Sequence, residues 1–165
     1  MTDMLDGERT ELECILKKVF GVWEGIPDAQ CQWCGKRGER TMGQELADGG
    51  QVLVVTLNRY DEEAMNKVDR VVSFPLNNLE VPVHETIGIT GSSNASPRTV
   101  KYTATAAARH LGMGAAQGHC TSIVRKSSAP ESDWWLYDDD SVSTIPFTEA
   151  TQHVHTIVYR RVDTI

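Results

Sequence analysis

Residues 51 to 60, Gln-Val-Leu-Val-Val-Thr-Leu-Asn-Arg-Tyr, are rich in β-branched side chains and nearly continuous in apolar ones. Such a run predicts a strand buried on both faces, and that strand requires a sheet around it. The rest of the chain supplies one. Val68 to Phe74 reads as a second strand, stopped by Pro75, which cannot donate to a ladder. In Val100 to His110 the alanine run would suit a helix, but Tyr102, Thr103 and Thr105 favour a strand. Residues 119–125, 133–138 and 153–161 are short β-like runs separated by turn signals, the pattern of an antiparallel sheet. One helix is predicted over 11–24, where Leu12, Ile15, Leu16, Val19 and Phe20 recur at helical spacing behind Thr10 as N-cap. Residues 25–50, rich in Gly, Gln and charge, read as a knuckle followed by a turn or short strand, and 91–97 as a polar surface loop. The sum is a β-rich α+β domain over residues 1–165.

Composition narrows the classes of function. With 40% hydrophobic and 24% charged residues in 165, the chain can bury a core and has no reason to be disordered. A formal net charge of −7 argues against nucleic acid as a partner, because phosphate binding needs clustered Lys and Arg, and suits a basic partner better. No membrane partner is expected: no stretch approaches the roughly 20 apolar residues of a span. Met1 to Glu8 lacks a basic-then-apolar signal, which points to an intracellular compartment, cytoplasmic or nuclear. In that reducing setting the four cysteines, two of them in Cys31-Gln-Trp-Cys34, suit metal ligation better than disulfides.

Two segments near the C-terminus carry chemistry. Gly118-His119-Cys120-Thr121-Ser122 opens one predicted strand, and Trp134-Trp135-Leu136-Tyr137-Asp138-Asp139 closes another, so a histidine and a carboxylate fall on neighbouring strands. An imidazole at His119 could take a proton from a thiol, while Asp138 fixes its tautomer and stabilises the imidazolium. The attacking thiol is what the pattern lacks. Cys120 is adjacent to His119 on a strand and points to the opposite face, as a small buried apolar residue. Cys14 sits inside an amphipathic helix rather than at a helix start that would lower its pKa. His84, His153 and His155 have no acid/base partner at a suggestive spacing, and His110 reads as structural.

Six blocks occur in order: Leu53-Val-Val-Thr-Leu-Asn-Arg-Tyr60, of the type leucine-x-x-x-leucine-x-arginine-aromatic, Lys67 leading to Val72-Ser-Phe-Pro75, Tyr102 to Gly112 ending His110-Leu-Gly, Gly118-His119, Trp134 to Val142, and Val158-Tyr-Arg160. This series resembles the ubiquitin-specific protease family over roughly residues 12–161. The resemblance implies an antiparallel palm sheet with partial fingers of a papain-like cysteine protease, with a fingers remnant over about 12–50 and the palm over about 51–161. It implies His119 as general base, Asp138 as the residue that orients it and Asp139 as a supporting acidic neighbour, with Cys120 standing where the family usually has tyrosine. Cys31 and Cys34 resemble the second of two zinc-binding CxxC knuckles, half of a tetrahedral site, so zinc is expected only if a second CxxC is supplied and no cofactor is required otherwise. The family's cysteine box is not found, so the nucleophile-bearing segment is expected to lie outside this chain. The implied activity is that of a cysteine-type deubiquitinase acting at the C-terminus of ubiquitin or on a ubiquitinated protein. The alternative is an inactive ubiquitin- or partner-binding module.

Overall fold

The computed structural model describes residues 9–20, 24–61, 66–68, 70–84, 98–112, 114, 117–126, 134–146 and 153–162. The loop expected at 91–97 lies outside these residues. Among them no helix is long and apolar enough to cross a membrane. The chain folds as a mostly antiparallel β structure with one described helix, the β-rich α+β class expected.

The main sheet is ordered around one long strand, β9 (Arg98–Leu111). On one side β9 pairs with β13 (Val154–Arg161), which pairs with β4 (Val52–Thr56) at the sheet edge. On the other side its first part pairs with β8 (Leu79–Val83) and its second part with β10 (His119–Arg125). From β10 the sheet continues through β11 (Trp134–Asp138) to β12 (Ser141–Ile145). All these pairings are antiparallel. The alanines of β9 face neighbours on both sides, so strand pairing overrides their helical preference.

The run at 51–60 gives a shorter strand than expected, in a different place. β4 lies at the sheet edge, and because the outer face of the sheet is uncovered, Leu53, Val55 and Leu57 pack against the core while Val52 and Val54 are 58% and 57% exposed. It is not buried on both faces. Near-continuous apolar sequence marks a strand but does not reveal how many layers cover it. β8 and β12 escaped sequence reading altogether: β8 contains Pro82, and four of the five residues of β12 are exposed. The same outer sheet surface also shows Val124, Trp135, Tyr137 and Val142.

Under the other face, Val100, Tyr102, Ala104, Ala107, Ile123, Trp134, Val154, Ile157 and Tyr159 form the core with Val72, Phe74, Leu76 and Leu79. The short helix α1 (Leu12–Val19) closes it by burying Leu12 and Leu16. Its N-cap is Glu11 without a side-chain cap bond, and Thr10 instead lies in β1 (Arg9–Glu11), which pairs in parallel with β7 (Val71–Ser73). Backbone pairing thus holds the helix start that a threonine cap was expected to hold. The helix ends at Val19, short of residue 24, which belongs to a strand. That strand, β2 (Glu24–Gln30), and β3 (Arg37–Met42) form a hairpin with Cys31 to Lys36 at its tip, so the expected knuckle has a strand on each side. A small pair, β5 (Tyr60–Asp61) with β6 (Asn66–Lys67), follows the run after β4.

Candidate active site

β10 alternates cleanly: Thr121 and Ile123 are buried, whereas Cys120, Ser122 and Val124 are exposed. His119 shares the inward side of that alternation, and on β11 Asp138 shares a side with buried Trp134 and half-buried Leu136. Ser122 pairs with Tyr137, so Asp138 is a diagonal neighbour of His119 across the β10–β11 ladder. The two side chains form a hydrogen-bonded ion pair between His119 Nε2 and Asp138 Oδ1. A carboxylate can only accept here, so Nε2 carries a proton in either state of the ring; Nδ1 is the acceptor when the ring is neutral and a second donor when it is charged. Asp139, at φ 49° in the β11–β12 turn, completes a group in which the ligating atoms of all three residues lie within 4.8 Å.

Electrostatics follow from that geometry. The hydrogen bond to Asp138 raises the His119 pKa above the ordinary 6.5, the charge of Asp138 adds to it and Asp139 contributes a little more, against a small desolvation effect. Both partners are nearly half exposed, so solvent screens the pair. With the folded value raised, the pair's stabilisation is complete below the unfolded histidine pKa, near 6.5, and is lost as pH rises through the folded value. The His119 Cε1–H resonance should therefore titrate with a midpoint above that of an ordinary histidine, and Asp138→Asn should bring it back down. An unshifted midpoint in the unaltered chain would mean that the ion pair does not form in solution.

No cysteine joins this group among the described residues. Cys14 is exposed on α1, 4.0 Å from Glu11 Oε2, and Cys31 and Cys34 are at the hairpin tip. Cys120 does turn to the opposite side of β10, but it is exposed rather than buried. It lines an open pocket of about 650 Å³ with Thr56, Tyr60, His110, Gly118 and His155.

A family model described as "Ubiquitin carboxyl-terminal hydrolase" matches residues 4–159. The chain belongs to the ubiquitin carboxyl-terminal hydrolase family. Among curated proteins it is similar to bovine and human ubiquitin carboxyl-terminal hydrolase 15, each 29% identical over 137 residues, covering 81% of this chain and 13% of the relative. Among solved structures it is similar to the SAGA Ubp8/Sgf11/Sus1/Sgf73 DUB module bound to ubiquitin aldehyde, with TM-score 0.70, 18% identity, and coverage of 94% of this chain and 34% of that one. A SAGA DUB module bound to monoubiquitin matches over the same shares with TM-score 0.71 and 18% identity. The chain therefore spans about a third of those solved chains and a much smaller part of the curated relatives.

Within this ubiquitin carboxyl-terminal hydrolase fold, two residues matter more than the sequence suggested. Arg59, 3% exposed, donates from Nε to the Val154 carbonyl and from Nη1 to the carbonyls of Val68 (3.2 Å) and Arg70 (2.6 Å). It ties the end of β4 to β13 and to the segment before β7. A charge followed by Tyr-Asp-Glu-Glu reads as surface, and the one signal for its burial was its place in the leucine-x-arginine-aromatic block. His110 is also buried, with Tyr60 Oη 3.3 Å from its Nδ1. A Cβ on Gly118 would stand 2.3 Å from His110 Nε2, so the residue before His119 must be glycine for the ring to pass. The glycine-histidine step thus couples a structural histidine to the start of β10, where His119 sits. In the same pocket, burial lowers the His155 pKa, and the charges of His110, Arg59 and Lys67 add to this.

The knuckle has the shape of a thiol half-site. Cys31 N–H donates to the Lys36 carbonyl at 2.9 Å and Gly35 N–H to the Cys31 carbonyl at 2.9 Å, with Gly35 in the left-handed region at φ 70°. The backbone N–H groups of Cys34 and then Trp33 face the Cys31 sulfur and lower its pKa, helped by the Cys34 thiol and by Arg40, against a small desolvation effect. These two residues fit zinc as donors, and they amount to half of the tetrahedral set that a structural zinc takes. No other candidate ligand groups with them among the described residues.

Proposed function

We propose that this chain is the palm and part of the fingers of a cysteine-type deubiquitinase, with the fingers part over about 12–50 and the palm over about 51–161. The observation that carries this reading is the His119–Asp138 ion pair on adjacent strands, inside a matched family domain. His119 serves as general base through Nδ1, Asp138 holds the ring and steadies the imidazolium, and Asp139 adds negative charge beside them. The thiol comes from a segment other than the described cysteines. Deprotonated by His119, it attacks the carbonyl of the isopeptide bond after the ubiquitin C-terminal glycine. His119 then gives its proton to the leaving amine, and water attacks the thioester to release ubiquitin. The basic ubiquitin tail lies beside the His119 strand, and the net charge of −7 favours its approach through encounter rate more than affinity.

A second reading, an inactive module that holds ubiquitin or a partner, is favoured by the absence of a described cysteine from the His119 group. A ubiquitin probe with a C-terminal electrophile separates the cases. The chain alone is expected to form no adduct, and an adduct mapped to any of its four cysteines would overturn the assignment of the nucleophile to another segment. Labelled ubiquitin then reports on binding, and affinity no tighter than millimolar would remove the binding reading.

A further inference from the structure

Two carboxylates and an imidazole converge where β10 begins and β11 ends. The ligating atoms of His119, Asp138 and Asp139 all lie within 4.8 Å of one another, a spacing that one metal ion can span. The cluster is open to solvent: the His119 and Asp138 side chains are 44% and 46% exposed, and Asp139 is exposed in the turn. Among the described residues neither aspartate pairs with a lysine or arginine, so two carboxylates share one place with only an imidazole between them and solvent. A separate observation comes from β10. Thr121 is 3% exposed, and its Oγ1 is buried without a hydrogen-bond partner among the described residues. It faces inward with His119, and the ladder that pairs Ser122 with Tyr137 sets it opposite Asp138. A buried hydroxyl without a bond is costly, and a valine of the same shape would carry no such cost.

We propose that His119, Asp138 and Asp139 bind one Zn²⁺ through Nε2 and one oxygen of each carboxylate, with Thr121 Oγ1 donating to the Asp138 oxygen that the ion leaves free. An imidazole beside carboxylates suits zinc better than magnesium or calcium, which take oxygen ligands. Three protein ligands leave a fourth position for water, and the two carboxylates balance the charge of the ion. The Zn–N bond takes the Nε2 lone pair, so the Nε2 proton passes to solvent, and a neutral ring holds its one proton on Nδ1, taken from solvent. The consequence for catalysis rests on the deubiquitinase reading. A ring protonated on Nδ1 cannot accept the proton of a thiol, so bound zinc switches the general base off.

The test uses the 165-residue chain carrying Cys31→Ser and Cys34→Ser, which removes the hairpin thiols as competing ligands. Isotope-labelled and stripped with chelator, it is titrated with Zn²⁺ while nuclear magnetic resonance follows the histidine ring nitrogens. Uptake is expected at micromolar zinc, with the His119 ring passing from the Nε2–H to the Nδ1–H form. Magnesium should leave the ring as it was. Asp139→Asn, a change that the left-handed backbone tolerates, should weaken zinc binding at least about tenfold, and Thr121→Val about tenfold, both with unaltered circular dichroism. Asp140→Asn, in the same turn but outside the three ligands, should bind as the parent does. None of these readouts uses a ubiquitin substrate, so zinc binding and the deubiquitinase reading stand or fall separately. No uptake at micromolar zinc, uptake without the change at the His119 ring, magnesium acting as zinc does, unchanged affinity in Asp139→Asn or Thr121→Val, or an equal loss in Asp140→Asn would each overturn the proposal.

Discussion

Trp134→Ala is expected to lower unfolding stability by about 3–5 kcal/mol, the range for removing a large aromatic from a core. Trp134 is fully buried at the start of β11, opposite Arg125 on β10 and Ile145 on β12. Deleting the indole empties a space between three strands that ladder hydrogen bonds hold in place, so the site can collapse only partly. Domains are stable by about 5–15 kcal/mol in total, so this one change consumes a large part of the margin. In urea the midpoint should fall by about 1–5 M, given slopes of about 1–3 kcal/mol per M. Trp134→Phe is a useful contrast. The indole Nε1 is buried without a hydrogen-bond partner among the described residues, so phenylalanine sheds an unsatisfied donor along with some volume. It should cost clearly less than alanine; equal losses would mean that the ring's packing is not what stabilises this corner.

Arg59→Ala is expected to cost about 3 kcal/mol or more, through polar groups rather than volume. Its removal unpairs the Val154 carbonyl in a buried contact and the Val68 and Arg70 carbonyls in part-buried ones, at about 1–3 kcal/mol for a group that water does not reach, and not additively. Arg59→Lys decides between charge and geometry. Lysine keeps the charge but lacks the planar fork that reaches two segments at once, so it should recover only part of the loss. Denaturation midpoints compare the two, and hydrogen exchange should localise the loosening to the ends of β4 and β13. Full recovery by lysine would show that the fork is unimportant.

These residues show what kind of information a linear sequence holds. His119 and Asp138 could be paired on paper because both sit on recognisable β runs and because a carboxylate beside an imidazole makes chemical sense. Their contact is a diagonal one that any regular β10–β11 ladder provides. Arg59 and Gly118 could not be read in the same way. A buried arginine is defined by carbonyls far along the chain, and the need for glycine at 118 exists only because the His110 ring crosses that spot. Position in the sheet was equally hidden: the most apolar run became the edge strand β4, while the mixed sequence of β9 became the centre.

The sequence by itself determined the β-rich class, the strands read at 119–125 and 133–138, the knuckle and the nearness of His119 to Asp138, because alternation, turn residues and short spacing act locally. Tertiary structure alone decided the strand order, the parallel β1–β7 pair, the burial of Arg59 and the exposure of Cys120 and Trp33. Burial and pairing arise from segments distant in sequence, and a residue's own neighbours along the chain do not encode which of them will arrive.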